Sequence, residues 1–269
     1  MDNSWRVIDT GACGAAFNMA LDEAIAITVR EGLSAPTLRL YGWSQVSVSI
    51  GCFQRSADIN VGYCRENGIP IVRRATGGRA VCHHDEITYS FSTQTKTGLF
   101  SHGLFDSYKK ISAALKDALS FVGISTQREP RKRSLNMSVL SPAVHDPLCF
   151  RSASYGEISV DEIKVIGSAQ KRWTDGLLQQ GSIPFVVDNT RVSKIFPRDE
   201  LHAARKPLVG LKQLLPSLSY DEMRNAIQVA FEKTFQIRLV PSDPSRQEML
   251  LSKELEEQKY LNDAWSFRK

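Results

Sequence analysis

Val72-Arg73-Arg74-Ala75-Thr76-Gly77-Gly78-Arg79-Ala80-Val81 sets paired arginines and paired glycines between two segments of β character. The run reads as a binding turn. Glycine lets main-chain N–H groups come close to a ligand, and successive amides in a turn form a concavity for an anionic or carbonyl oxygen. Arginine adds planar, permanently charged donors suited to carboxylate, phosphate or acyl oxygens. Taken alone, the run also fits a plain β-hairpin with solvated arginines, so its surroundings have to decide.

Upstream of the turn, Trp5 to Asp9 reads as a strand, followed by a helix on which Phe17, Leu21, Ala24, Ile25 and Ile27 through Val29 mostly keep helical spacing until Gly32. Thr37 to Tyr41 and Val46 to Ile50 alternate as strands around a turn at Gly42 to Gln45, and Ala57 to Asn67 reads as a short helix ended by Gly68. Ile69 to Arg73, Ala80 to His83 and Ile87 to Ser92 are further strands. Leu104 to Val122 is an amphipathic helix stopped by Gly123, with Leu104, Tyr108, Ile111, Leu115 and Leu119 on the face that should back the sheet.

Arg128 to Pro147 is polar, basic and punctuated by proline, which predicts a mobile loop. Tyr155 to Val160, Ile163 to Gly167 and Gly176 to Phe185 return to strand character, with a tight turn at Asp161-Glu162. Helical patterns near Asp221 to Thr234 and Gln247 to Leu261 flank a strand at Ile237 to Val240 and a turn at Pro241 to Pro244. This order predicts an α+β fold, a mixed and largely antiparallel sheet backed by helices. It divides into one domain over residues 1–240 and a helical tail over 241–269.

A chain of 269 residues that is 42% hydrophobic can bury a substantial core. Its start lacks the basic and apolar regions of a signal peptide, and no apolar run approaches the ~20 residues that span a bilayer. A cytoplasmic protein without a membrane partner is expected. Cys13, Cys52, Cys64, Cys82 and Cys149 are odd in number and form no C-x-x-C pair, which argues against a disulfide framework or a zinc site and leaves room for one reactive thiol. His83 and His84 are adjacent, so on a strand they point to opposite faces, and no metal site is expected there. The net charge is +5, with Arg128, Arg131, Lys132 and Arg133 clustered. Without interleaved aromatic residues this cluster suits a solvated loop or a landing surface for an acidic protein better than nucleic acid.

Three blocks carry a family likeness: "RRATGGRAVCHHDEITYS" at Arg73 to Ser90, "LCFRSASYGEI" at Leu148 to Ile158, and Lys164 to Pro184 with its "KVIGSAQKR" and "LLQQGSIP". The opening "WRVIDTGACGAAFNMALDEA" from Trp5 to Ala24 fits as well. The chain resembles the lipoate-protein ligase, octanoyltransferase and biotin-ligase superfamily, and within it the LipM-type octanoyltransferases. The resemblance implies a fold related to the catalytic core of class II aminoacyl-tRNA synthetases and biotin ligases. It implies transfer of an octanoyl group from acyl carrier protein to the acceptor lysine of an apo lipoyl domain, with no cofactor. The acceptors would be the glycine-cleavage H protein and the acyltransferase subunits of 2-oxoacid dehydrogenases.

By the same resemblance, Cys149 matches the nucleophilic cysteine and Lys164 the active-site lysine. Arg73, Thr76, Gly77, Gly78 and His83 would bind the acyl chain and its carbonyl end, and Gly167, Ser168, Ala169 and Gln170 would form the opposite wall. Three other readings stay open. An ATP-dependent lipoate-protein ligase would typically carry a further glycine where Arg79 stands and would need no nucleophile. An octanoyl amidotransferase taking its donor from the glycine-cleavage H protein would also use cysteine. A non-catalytic lipoyl-domain binder would tolerate loss of Cys149.

Overall fold

Ile87-Thr88-Tyr89-Ser90-Phe91-Ser92 alternates large apolar residues with small hydroxyl residues, and this alternation gives the sheet two unlike faces. In a computed structural model, which describes residues 3–126, 158–161, 163–196 and 208–268, the segment lies in β6 (Glu86–Gln94) near the middle of the main sheet. The other strands are β1 (Ser4–Cys13), β2 (Thr37–Trp43), β7 (Ile158–Val160), β8 (Ile163–Arg172), β9 (Gly176–Pro184) and β10 (Arg238–Pro241). Their order is β10-β1-β2-β6-β9-β8-β7. The β10-β1 and β1-β2 pairs are parallel and the rest antiparallel, which gives the mixed, largely antiparallel sheet that the sequence predicts.

Ile87, Tyr89 and Phe91 join Leu38 and Leu40 of β2 in the main apolar core. Against it pack Ile111, Leu115 and Leu119 of α3 (Leu104–Phe121) and Ile227, Phe231 and Phe235 of α6 (Tyr220–Phe235). On the opposite face lies α1 (Ala15–Arg30), whose Leu21, Ile25 and Val29 cover Ile8. Apart from Leu178, which packs against Ala26, and the aromatic pair Tyr41 and Trp43, that face is largely polar. Arg39, Tyr41, Thr88, Ser90, Gln180 and Ser182 all project there and are buried.

β3 (Ser47–Ile50), β4 (Ile71–Arg73) and β5 (Val81–His83) form a separate three-stranded sheet with β3 in the centre. β2 and β3 flank the expected turn but do not pair with each other, since β3 pairs with β4 and β5. The helix expected over Ala57 to Asn67 is a 3-10 turn at Ser56–Asp58 followed by α2 (Val61–Glu66), separated by Asn60, whose side chain caps α2 by accepting from the Tyr63 N–H at 3.0 Å. α4 (Asn189–Ile195) and α5 (Leu211–Leu214) are short helices that the sequence pattern did not reveal. Arg128 to Pro147 lies outside the described residues.

At the C-terminal end, α7 (Arg246–Leu255) continues into a π-helical turn at Glu256–Tyr260 and then α8 (Asp263–Ser266). One buried carboxylate fastens α7. Glu248 accepts from both Arg6 terminal nitrogens (2.5 and 3.1 Å), from the hydroxyls of Thr28 and Ser34 (both 2.9 Å) and from the Ser245 N–H (2.6 Å). Burial alone would raise its pKa, but Arg6, the Ser245 amide and Thr28 outweigh it and hold the group at about 2. Its folded pKa is thus depressed below the ordinary 4.5, so its stabilisation is full above about 4.5 and is lost as the pH falls towards 2. Glu248→Gln should therefore melt well below wild type at pH 7, by about 3 kcal/mol of stability, with the gap closing between pH 4.5 and 2. Thermal melts across that range check it, and a gap constant with pH would remove this role.

Candidate active site

Between the two sheets lies a cleft with about 350 Å³ of empty space. Met19, Tyr41, Trp43 and Val81 form its apolar lining, and Ser49, Arg74, His83, Thr88, Gln180 and Ser182 its polar lining. Gly167, Ser168 and Ala169 of β8 close the side opposite β3 and β5. Small residues on β8 leave room that larger ones would fill.

The glycine turn is held from behind by Arg74. Its Nη2 donates to the carbonyls of Gly77 and Arg79 (both 2.7 Å) and its Nη1 to the carbonyl and hydroxyl of Ser49 (both 3.1 Å). Gly78 takes a φ of 83°, which favours glycine, and a Cβ there would come within 2.9 Å of Arg74. Gly51 is demanded more strongly, since its Cβ would sit 1.9 Å from the Gly78 carbonyl oxygen. Gly51→Ala should push the two loops apart and lower acyl transfer by about 10- to 100-fold, because a displacement near 1 Å at a binding site has that order of effect. Steady-state kinetics of a folded variant check it; unchanged kinetics would show that the turn tolerates displacement.

His83 is 4% exposed and bound on both ring nitrogens, Nδ1 to Glu86 at 2.8 Å and Nε2 to the Ser49 hydroxyl at 2.7 Å. Its ring stacks on Trp43 at 3.9 Å, and Trp43 Nε1 donates to the Thr88 hydroxyl at 2.8 Å. Burial would raise the Glu86 carboxyl, but His83 and the hydroxyls of Thr88 and Ser182 outweigh it and keep it below its ordinary value. An ionised Glu86 accepts from the His83 Nδ1–H and so fixes the orientation of the ring towards Ser49. His84 is exposed, and among the described residues no group of three or more His, Cys, Asp or Glu is placed to hold a metal ion.

Thr76 is fully buried, and its hydroxyl donates to Gln180 at 2.8 Å. Gln180 in turn donates to Asp22 at 2.7 Å, so the turn is linked through β9 to α1. Ser168 meets the Tyr89 hydroxyl at 2.7 Å, and its carbonyl accepts from Tyr108 at 2.6 Å. Gln170 lies further out, bonded to Gln179 (2.9 Å) and Ser107 (3.0 Å). There Gly77, Gly78, Leu104, Phe105, Tyr108 and Gln170 border an outer hollow of about 660 Å³ that shares Ser168 and Ala169 with the cleft.

The structure thus brings Gly167, Ser168, Ala169 and His83 to the cleft and Gly77, Gly78 and Gln170 to its outer hollow. Thr76 stands behind the wall. Arg73 does not line the cleft, while its neighbour Arg74 does, because successive residues at a strand end face opposite sides. Lys164 is buried at 8% exposure on β8, three positions before Gly167, and is not among the residues that line the cleft. Cys149 and the basic cluster from Arg128 to Arg133 lie outside the described residues.

Of the described cysteines, none lines the cleft. Burial pushes the Cys64 thiol up to about 11 and the Cys82 thiol up to about 12, which makes both poor nucleophiles at neutral pH. Sequence reasoning passed over Met19, Trp43, Ser49, Gly51 and Gln180. Only Ser49-Ile50-Gly51 carried a local signal, a glycine directly after a strand.

Residues 14–232 match the family model of the lipoyl protein ligase A/B catalytic domain. The chain is 33% identical to octanoyltransferase LipM of Geobacillus kaustophilus, over 98% of both chains. It is 34% identical to octanoyltransferase LipM of Symbiobacterium thermophilum, over 100% of both. Among solved structures it superposes with a bipartite lipoate protein ligase from Thermoplasma acidophilum at a TM-score of 0.81, with 22% identity over 98% of this chain and 96% of the other. A lipoate-protein ligase A bound with ATP gives a TM-score of 0.79 with 23% identity over 99% of each chain. These structural likenesses establish the shared fold.

Proposed function

Because the chain belongs to the lipoyl protein ligase A/B catalytic-domain family, and relatives spanning its full length are octanoyltransferases, we propose that it makes protein-bound octanoyl groups for lipoate biosynthesis. The donor is octanoyl-acyl carrier protein, the carrier of the group is Cys149, and the acceptor is a lysine of an apo lipoyl domain. The glycine-cleavage H protein and the acyltransferase subunits of 2-oxoacid dehydrogenases are the acceptors, in the cytoplasm. The observation that carries this reading is the cleft, an apolar wall of Met19, Tyr41, Trp43 and Val81 facing a narrow β8 wall, beside a glycine turn.

The Cys149 sulfur attacks the donor thioester carbonyl, and the carrier leaves as its thiol with the proton. One thioester replaces another, so the step is nearly balanced in free energy and needs no nucleotide. The lysine amine of the lipoyl domain then attacks the octanoyl-Cys149 carbonyl, the amide forms, and the thiol is regenerated with the amine's proton. Lys164 stabilises the thiolate and the developing oxyanion by its charge, together with amides of the Gly77-Gly78 turn.

Incubation with octanoyl-acyl carrier protein, with and without ATP, followed by intact mass measurement tests the reading. A single octanoyl adduct on the wild-type chain, formed without ATP, is expected. Transfer of free octanoate to a lipoyl domain only when ATP is present would instead make the protein a ligase.

A further inference from the structure

Arg73 is fully buried, and every hydrogen bond it donates ends on a main-chain carbonyl. Nη1 reaches Gly51 (2.8 Å), Cys52 (3.3 Å) and Gln54 (2.6 Å), Nε reaches Trp265 (3.1 Å) and Nη2 reaches Arg268 (2.7 Å). Guanidinium, with five donors in a rigid fork, is suited to joining two chain segments in this way. Trp265 returns the contact, since its Nε1 donates to the Arg73 carbonyl at 2.8 Å. Its ring lies under the Arg268 guanidinium at 3.6 Å, and Arg268 also reaches Cys52 Sγ at 3.1 Å.

The same C-terminal residues stand behind the cleft. Tyr260 and Trp265 share an apolar cluster with Met19, Tyr41 and Trp43, the residues that line it. Tyr260 and Lys259 are tied to Glu23 of α1 at 2.5 and 2.6 Å. The segment held by Arg73 touches the glycine turn directly, because the Cys52 N–H donates to the Thr76 carbonyl at 2.9 Å and Gly51 abuts Gly78.

We propose that residues 256–268 are a buttress for the acyl-binding cleft, with Trp265 and Arg73 as positioning residues that act through Gly51 and Cys52 on the turn at Thr76 to Gly78. The proposal rests on the acyl-binding reading of the cleft. α7 is fastened separately by the Arg6 and Glu248 pair, so the last residues are not what holds the helix to the domain. Their placement against Arg73 and the cleft wall gives them a different task, which is to fix where the turn stands when an acyl chain enters.

Trp265→Ala and the milder Arg268→Ala, in the full chain, test it by two readouts. The first is amide hydrogen exchange at Cys52 and residues 74–78. About tenfold faster exchange there, with α3 unchanged, is expected. The second is the split of KM between the two substrates. The KM for octanoyl-acyl carrier protein should rise about tenfold while that for the lipoyl domain stays within about twofold, with Trp265→Phe in between. Unchanged exchange at the turn, or an equal rise in both KM values, would overturn the buttress. A wild-type chain that forms no octanoyl adduct would defeat the functional reading instead, and the exchange measurement would still decide the structural one.

Discussion

Replacing Cys149 with alanine is expected to abolish the octanoyl adduct and to lower transfer from octanoyl-acyl carrier protein by ~10⁴-fold or more, the scale seen when a covalent nucleophile is deleted. Cys149→Ser should rescue little, because a hydroxyl is far less ionised than a thiol at neutral pH and its ester is a poorer acyl donor to an amine. Melting temperature should stay within a few degrees of wild type, which separates loss of chemistry from loss of fold. Lys164→Met should retain the adduct but form it about 10²- to 10³-fold more slowly, the order expected from losing one charge-stabilising donor. Quench-flow measurement of adduct formation reads both variants. Wild-type transfer by Cys149→Ala would sink the covalent mechanism, and one of Cys13, Cys52, Cys64 or Cys82 could not easily replace it, since none lines the cleft.

The second large effect concerns stability. Asp22 is fully buried and accepts from Arg39 (2.7 Å), Ser90 (2.6 Å), Tyr41 (2.8 Å) and Gln180 (2.7 Å). Arg39 is equally buried, with its guanidinium 4.0 Å over the Tyr41 ring. Burial, and then the charge of Asp22, raises the Tyr41 hydroxyl well above its ordinary pKa, so it remains a donor to the carboxylate. Asp22→Ala leaves a buried cation without its counter-charge and should cost about 3–5 kcal/mol, a large part of the ~5–15 kcal/mol that holds a typical domain together. Asp22→Asn keeps the shape and should cost less. Urea denaturation gives the values, and a loss under about 1 kcal/mol would mean that water or rearrangement replaces the carboxylate.

What the sequence makes legible follows from how far each feature reaches along the chain. The alternation of Ile87 to Ser92 and the helical spacing of Leu104 to Leu119 are local, and both elements form where the pattern puts them. The choice between Arg73 and Arg74 is not local. Which of two neighbours faces a cleft depends on β4 pairing with β3 and on where the C-terminal residues settle, and neither leaves a mark within the run itself. Asp22 within Met19-Ala20-Leu21-Asp22-Glu23-Ala24 looks like a polar break in an apolar helix. Its meaning lies in Arg39, Tyr41, Ser90 and Gln180, which come from three different strands. Gly51 is read correctly only when Gly78 is beside it.

The parallel pairing of β1 with β10 has a consequence for how the protein comes off the ribosome. Asn3 bonds to the carbonyl of Gln236, 233 positions later, and the strand partners of Ser4 to Val7 are Arg238 to Pro241. During translation β1 therefore waits, with one hydrogen-bonding edge bare, until the chain has grown past residue 241. An open edge of this kind invites pairing with other chains. Arg73 likewise has no Trp265 or Arg268 carbonyl to bind until those residues have been made. Chains cut short before residue 238 lack the partners of both, so they should keep the bare β1 edge and be prone to aggregate.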